Sequence, residues 1–80
     1  MGRILIYTLT GDPACAKAKE LLAQKRAGVT IVEINLTDYP KRAKEMKRLT
    51  GKRRVPQIFF NSLLVGVSYF SSLFSFLASQ

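Results

Sequence analysis

The single cysteine of the sequence, Cys15, ends the segment Tyr7-Thr-Leu-Thr-Gly-Asp-Pro-Ala-Cys15. The apolar residues that precede this segment predict a strand, and Asp12 followed by Pro13 predicts the N-cap and first position of a helix. Cys15 then lies in the first helical turn, where backbone N–H groups and the helix dipole stabilise anions such as a thiolate. A dithiol catalyst would carry a second cysteine three residues earlier, and Asp12 stands there instead.

The pattern around Cys15 leaves two interpretations open. In the first, the helix N-terminus lowers the pKa of the thiol and Cys15 is a nucleophile. In the second, Asp12 is a helix cap that stabilises the helix by about 1 kcal/mol and Cys15 is a small buried apolar residue. The Asp12 carboxylate competes with a thiolate for the same donors and repels its charge, which favours the neutral thiol.

Composition limits the classes of function. The chain has 80 residues, and we treat residues 1–80 as one domain of ordinary globular composition. One cysteine and no histidine exclude an internal disulfide framework, a Cys/His metal site and a histidine general base. Thirteen Lys/Arg against five Asp/Glu give a net charge of +8, which favours anionic partners.

The hydrophobic pattern predicts an α/β domain with the element order β-α-β-α-β-β-α. The first two strands are joined by a helix and should be parallel, whereas the last two should form an antiparallel hairpin about Asn61-Ser62. One mixed four-stranded sheet flanked by helices accommodates this order. The predicted strands cover residues 3–8, 29–36, 56–60 and 63–67, and the predicted helices cover 13 up to Gly28, 38–49 and 70–77.

Helical spacing also predicts which side chains face the sheet. In the first helix these are Ala14, Ala18, Leu21 and Leu22, with Lys25 at the edge of the stripe. In the second helix they are Ala43, Met46 and Leu49. We expect Tyr7 and Tyr39 to be packing residues.

The C-terminal residues 55–80 carry no charge and follow Lys52-Arg53-Arg54, a pattern that also fits a membrane span. Six polar residues among positions 58–78 argue against a span, so we expect a hairpin and a buried helix there. The apolar run Ile4-Leu5-Ile6 is too short for a signal peptide. We therefore expect a cytoplasmic domain that does not enter a membrane.

Three blocks of the sequence resemble the glutaredoxin family over nearly the whole chain. They are Ile6-Tyr7-Thr8 with Gly11-Asp12-Pro13-Ala14-Cys15, then Leu49-Thr50-Gly51 with Arg53-Arg54-Val55-Pro56-Gln57-Ile58-Phe59, and Asn61 with Val65-Gly66. The resemblance implies a thioredoxin fold with Pro56 as a cis-proline beside the active site. It also implies reduction of disulfides, especially mixed disulfides with glutathione.

Within this resemblance, Asp12 occupies the position of the family's nucleophilic cysteine, and Cys15 matches the second, resolving cysteine. A resolving thiol alone cannot run the dithiol cycle, so we expect impaired or lost redox activity and a binding or regulatory role. The alternative is a thiol oxidoreductase that uses Cys15 alone with glutathione. An iron–sulfur cluster is not expected, since the family's cluster ligand is the missing first cysteine.

The resemblance implies that part of the family's glutathione site is retained. Arg53 matches the arginine that holds a glutathione carboxylate, and Val55, before Pro56, matches the residue whose backbone pairs with the tripeptide. Glutathione is therefore the co-substrate or ligand that the resemblance implies. The sequence departs from the family pattern at Leu9, Arg54, Val67 and Tyr69-Phe70.

The positive charge is concentrated in residues 41–54, where eight Lys/Arg and one Glu give +7 in 14 residues. At helical spacing a basic patch forms on one flank, composed of Lys41, Lys44, Lys47 and Arg48. It is either a docking surface for an acidic protein, acidic lipid or nucleic acid, or a solvated helix face. No aromatic platform accompanies it, so nucleic acid is the less favoured partner. We expect a monomer or one part of a larger protein.

Overall fold

The computed structural model describes residues 2–24 and 28–65. Strand β1 (Gly2–Thr8) lies inside its sheet, with a strand on either side. The sheet has four strands in the order β2-β1-β3-β4. The remaining elements are α1 (Pro13–Leu22), β2 (Val29–Asn35), a 3₁₀ turn (Pro40–Arg42), α2 (Ala43–Thr50), β3 (Gln57–Phe60) and β4 (Leu63–Val65).

The strand directions confirm the predicted mixed sheet. Strand β1 pairs in parallel with β2 and antiparallel with β3, and β3 pairs antiparallel with β4. The hairpin turn is formed by Asn61 and Ser62, with φ of 50° and 70°, the left-handed conformation that a two-residue hairpin loop requires. Asn61 also holds β1, because Arg3 N–H donates to Asn61 Oδ1 at 2.9 Å.

The elements predicted beyond Val65 lie outside the described residues, among them the last helix. In the part of the chain that is described, no helix is long and apolar enough to cross a membrane. Helix α1 ends at Leu22, before the predicted stop at Gly28. Its last turn tightens, because Gln24 N–H donates to the Leu21 carbonyl at 3.1 Å.

One core lies between the sheet and α1. Ala18 and Leu22 of the helix pack against apolar strand residues, namely Ile4, Ile6, Ile58 and Val65. Cys15 is buried on the same helix, whereas Ala14 is exposed, so the prediction for Ala14 was wrong. Residues 15, 18 and 22 follow the three- and four-residue steps of one helix face, and Ala14 lies outside that row.

A second core lies on the α2 side, with Met46 of α2 packed against Tyr7, Ile34 and Leu36. The predictions that Leu49 and Tyr39 would be packing residues were wrong, since they are 53% and 60% exposed. Helix α2 begins only at Ala43, itself exposed, and just one of its side chains is fully buried. Tyr39 precedes the 3₁₀ turn, and the sheet holds it through its backbone N–H, which donates to the Asn35 carbonyl at 2.9 Å.

A hydrogen-bond network joins α2 to the centre of the sheet. The buried Tyr7 hydroxyl donates to Glu45 Oε2. Arg42 holds the same carboxylate through two nitrogens, at 3.1 and 2.9 Å. These interactions lower the pKa of Glu45, Arg42 being the larger cause, while burial and then Glu45 raise the pKa of Tyr7 to about 12.

We expect Tyr7→Phe to lower the free energy of unfolding by about 1–2 kcal/mol, because it removes a hydrogen bond to a charged group and keeps the ring. Urea denaturation measures this change. Tyr39→Phe is the matched control: its side chain is exposed, so the loss should stay below about 0.5 kcal/mol. Equal losses in the two variants would contradict a stabilising role for the Tyr7–Glu45 bond.

Candidate functional site

The start of α1 is held by Asp12, as predicted from the sequence. Asp12 has extended backbone angles (φ −81°, ψ 122°), and its Oδ2 accepts the Cys15 N–H at 2.9 Å. Its carbonyl accepts the Ala16 N–H at 3.0 Å, and Pro13 occupies the first helical turn. One carboxylate oxygen is therefore committed to a backbone donor that would otherwise be free to stabilise an anion.

Cys15 is buried, with 1% of its surface exposed. Burial is the largest cause that raises the pKa of the Cys15 thiol, and a hydrogen bond with the Leu9 backbone opposes this effect only in part. The hydrogen bond and charge of Asp12, and the charge of Glu33, also raise the pKa, and all causes together bring it to about 11. At neutral pH the thiol is protonated and shielded, which agrees with the interpretation of Cys15 as a buried apolar residue.

Glu33 belongs to this environment, although the sequence analysis did not single it out. Its Oε2 accepts the Thr8 hydroxyl at 2.7 Å and pairs with Lys19 Nζ at 3.2 Å. The Thr8 hydrogen bond, with a smaller contribution from Lys19, lowers the pKa of the Glu33 carboxyl. The signal in the sequence was that Glu33 is the single charged residue of β2, a strand of mostly apolar residues.

Side chains at and just after the end of β2 hold the segment between β1 and α1. Thr10 N–H donates to Thr37 Oγ1 at 3.0 Å, and Asn35 Nδ2 donates to Thr10 Oγ1 at 3.0 Å. Asn35 Oδ1 also accepts the Thr37 N–H at 2.8 Å, a local turn typical of asparagine. The end of β2 therefore fixes the position of the segment that leads to Asp12. The sequence does not reveal this contact, because its residues are far apart in the chain.

The Val55–Pro56 peptide is cis, as the sequence analysis expected. Antiparallel pairing places Gln57 opposite Tyr7, so Pro56 lies at the end of β1 from which the chain continues to Cys15. Pro56 is buried, Val55 is half-buried and Arg53 is exposed. The sheet thus brings the residues 53–56 and the start of α1 to the same edge of the fold.

Three members of the predicted basic patch line one cavity of about 430 Å³, which we call the basic cleft. The residues around it are Ala43, Lys44, Met46, Lys47, Arg48 and Arg53. Arg53, which the sequence analysis assigned to a different site, therefore joins the patch. Lys41 lies in the preceding 3₁₀ turn and does not line the cleft.

Comparison with known proteins agrees with this geometry. The glutaredoxin family model matches residues 4–65, most of the chain. The chain belongs to the glutaredoxin family. Glutaredoxin 1 of Rickettsia conorii is 38% identical to it over 63 residues, and the glutaredoxin of Neisseria meningitidis is 41% identical over 66 residues. These matches cover 79% and 82% of this chain, and 62% and 76% of the two relatives.

Solved glutaredoxin structures also share the fold. The solution structure of glutaredoxin from Brucella melitensis has a TM-score of 0.65 and 39% identity, covering 89% of this chain and 76% of that one. The fold is the thioredoxin fold, as the resemblance implied. The chain spans about three fifths of the length of the Rickettsia conorii glutaredoxin that it matches.

We expect alkylation of Cys15 by iodoacetamide to be slow at neutral pH and to rise with the thiolate fraction, with no plateau below about pH 11. The assay reports on this residue alone, because the chain has no other cysteine. Mass spectrometry gives the rate, and circular dichroism confirms that the domain stays folded at each pH.

The matched variant is Asp12→Asn, which retains an oxygen to cap the helix and removes the charge. Its pH profile should shift to lower pH, since the charge of Asp12 is one cause of the raised Cys15 pKa. A plateau near neutral pH in the unmodified chain would show that Cys15 is a reactive thiolate and would contradict this assignment.

Proposed function

We propose that this glutaredoxin-family domain has lost dithiol exchange and acts as a binding or regulatory domain. The observation that carries the proposal is the start of α1, where the Asp12 carboxylate accepts the Cys15 N–H and Cys15 is buried with a pKa of about 11. Family resemblance adds that Asp12 stands at the position of the attacking cysteine. A carboxylate there cannot form a disulfide.

The chemistry that is lost can be stated step by step. In dithiol exchange a thiolate attacks one sulfur of a disulfide and releases the other as a thiolate, which leaves a mixed disulfide with the enzyme. A second cysteine thiolate then attacks the sulfur of the first cysteine, closes an internal disulfide and releases the remaining substrate thiolate. Cys15 could serve only in the second step, and it has no internal partner because it is the single cysteine. Its raised pKa also leaves little thiolate for a first attack at neutral pH.

The alternative is that Cys15 works alone as a glutathione-dependent oxidoreductase. The supporting feature is the segment with Arg53, Val55 and Pro56, which matches the family's glutathione site by resemblance and lies at the same edge of the sheet as the start of α1. The burial of Cys15 opposes this alternative. Glutathione is therefore better treated as a ligand of this domain than as its co-substrate.

The partner that we propose is anionic, with glutathione and an acidic protein surface as the candidates. The net charge of +8 and the basic cleft support this choice. We further propose that the domain works in the cytoplasm and is monomeric or forms part of a larger protein. Nucleic acid is disfavoured, since none of the described residues that line the basic cleft is aromatic.

The test is turnover of a mixed glutathione disulfide by three forms of the chain. We expect background turnover from the unmodified chain, no further loss in Cys15→Ser, and a gain of at least about tenfold in Asp12→Cys, which supplies an exposed thiolate. The gain should be incomplete, because Leu9, Val67 and Phe70 still depart from the family pattern.

Asp12→Ser is the matched control, since it retains a helix cap and adds no thiol. It should remain inactive, which separates the effect of the new thiol from the effect of losing a carboxylate. Turnover by the unmodified chain that disappears in Cys15→Ser would overturn the proposal and establish the single-cysteine alternative.

A further inference from the structure

The basic cleft combines two groups of residues that are separate in the sequence. Lys44, Lys47 and Arg48 come from α2, and Arg53 comes from the segment that leads to β3. Helix α2 ends at Thr50, and the capping Gly51, with φ of 74°, turns the chain back toward the sheet and brings Arg53 beside the helix. The cleft thereby holds four cationic side chains around the exposed Ala43, with the buried Met46 beneath them.

The charges of the cleft are largely uncompensated. Within the described ranges, the side chains of Lys44, Arg48 and Arg53 make no hydrogen bond or close ion pair, and the Lys47 ammonium donates only to the Gly51 carbonyl, at 3.0 Å. Glu45 acts on Arg48 through space, without a direct contact. The nearby acidic residue Glu45 is held by Arg42 and Tyr7 and does not line the cleft. Four like charges around one cavity repel each other, and an anion placed between them relieves that repulsion.

We propose that the basic cleft binds an acidic peptide segment longer than glutathione, with one carboxylate at Arg53 and further carboxylates along α2. The inference rests on the proposed binding role and specifies its partner. The cavity of about 430 Å³ accommodates several side chains, and its apolar part can contact their methylene groups. Carboxylate side chains suit the cleft better than bases do, because its lining within residues 2–24 and 28–65 includes no aromatic ring for stacking.

The connection into β3, at the end of the cleft, also suits a peptide. Val55 and Pro56 follow Arg53 and Arg54, precede β3 and belong to no strand of the sheet. To other described residues Val55 makes no backbone hydrogen bond, so its backbone groups can pair with an extended chain. A peptide bound there would place its neighbouring residues over Lys44 and Lys47.

The experiment measures binding of fluorescently labelled octaglutamate by anisotropy at low and moderate salt. Octaglutamine and an oligothymidylate of equal length are the comparison probes. We expect octaglutamate to bind in a salt-dependent manner, octaglutamine not to bind, and oligothymidylate to bind more weakly than octaglutamate.

Two sets of variants with the same change in net charge test the location. The cleft set is Lys44→Glu, Arg48→Glu and Arg53→Glu, and the control set is Lys41→Glu, Lys52→Glu and Arg54→Glu, whose side chains lie in the same basic segment but do not line the cleft. Lys47 is left unchanged because it caps α2 through the Gly51 carbonyl. The cleft set should weaken octaglutamate binding by at least about tenfold and the control set by less than about threefold.

Three results would overturn the inference: no binding of octaglutamate, equal weakening by the two sets, or oligothymidylate binding as tight as octaglutamate. If a glutamate set does not fold, the same positions changed to glutamine give the comparison with a smaller expected difference. These results are independent of turnover, so loss of the peptide site would leave the proposed loss of redox activity standing. Cys15-dependent turnover would overturn that proposal without deciding the peptide site.

Discussion

Strand β1 is paired along both of its edges and carries a core on each of its faces. It pairs with β2 through the whole of residues 2–8 and with β3 from Ile4 to Tyr7. Ile6 faces the α1 core, while Tyr7 faces the α2 core and reaches Glu45. Because the alternation along a strand fixes which side chain meets which layer, a shift of this strand by one residue would exchange the two cores. The start of α1 and the segment before β3 are both positioned by the end of β1.

The Asp12 carboxylate links the stability of the fold to the chemistry of the site. A helix N-terminus has free N–H donors, and a capping side chain and a thiolate are two ways of satisfying them. Here the carboxylate accepts the Cys15 N–H, and its charge adds to the effect of burial in keeping the nearby thiol protonated. The residue that caps the start of the helix thus also disfavours a thiolate there. Structural and catalytic demands on this position oppose each other.

Features that depend on local backbone chemistry were predictable from the sequence. Asp12-Pro13 at the helix start and Asn61-Ser62 at the hairpin are such features, because a cap and a tight turn depend on a few adjacent residues. Leu49 was predicted incorrectly, since helical spacing identifies a face but does not say how far the sheet extends beneath it. Glu33 was missed for a related reason: its partners Thr8 and Lys19 are close only once β1, β2 and α1 have assembled. The place of Arg53 in the basic cleft beside α2 was also missed, because it depends on the turn at Gly51.

The candidate redox residues and the basic cleft are built by different parts of the chain. Asp12 and Cys15 lie on the connection from β1 into α1, whereas the cleft lies on α2 and the connection into β3. The two parts meet at one edge of the sheet because β1 and β3 are paired there, with Tyr7 opposite Gln57. A substitution at Asp12 changes the pKa of Cys15 through a local hydrogen bond and charge, and it alters no residue that lines the cleft. The thiol chemistry of this fold can therefore be removed without removing a cationic surface beside it, which is the physical basis of our proposal of a glutaredoxin-family domain that binds without reducing.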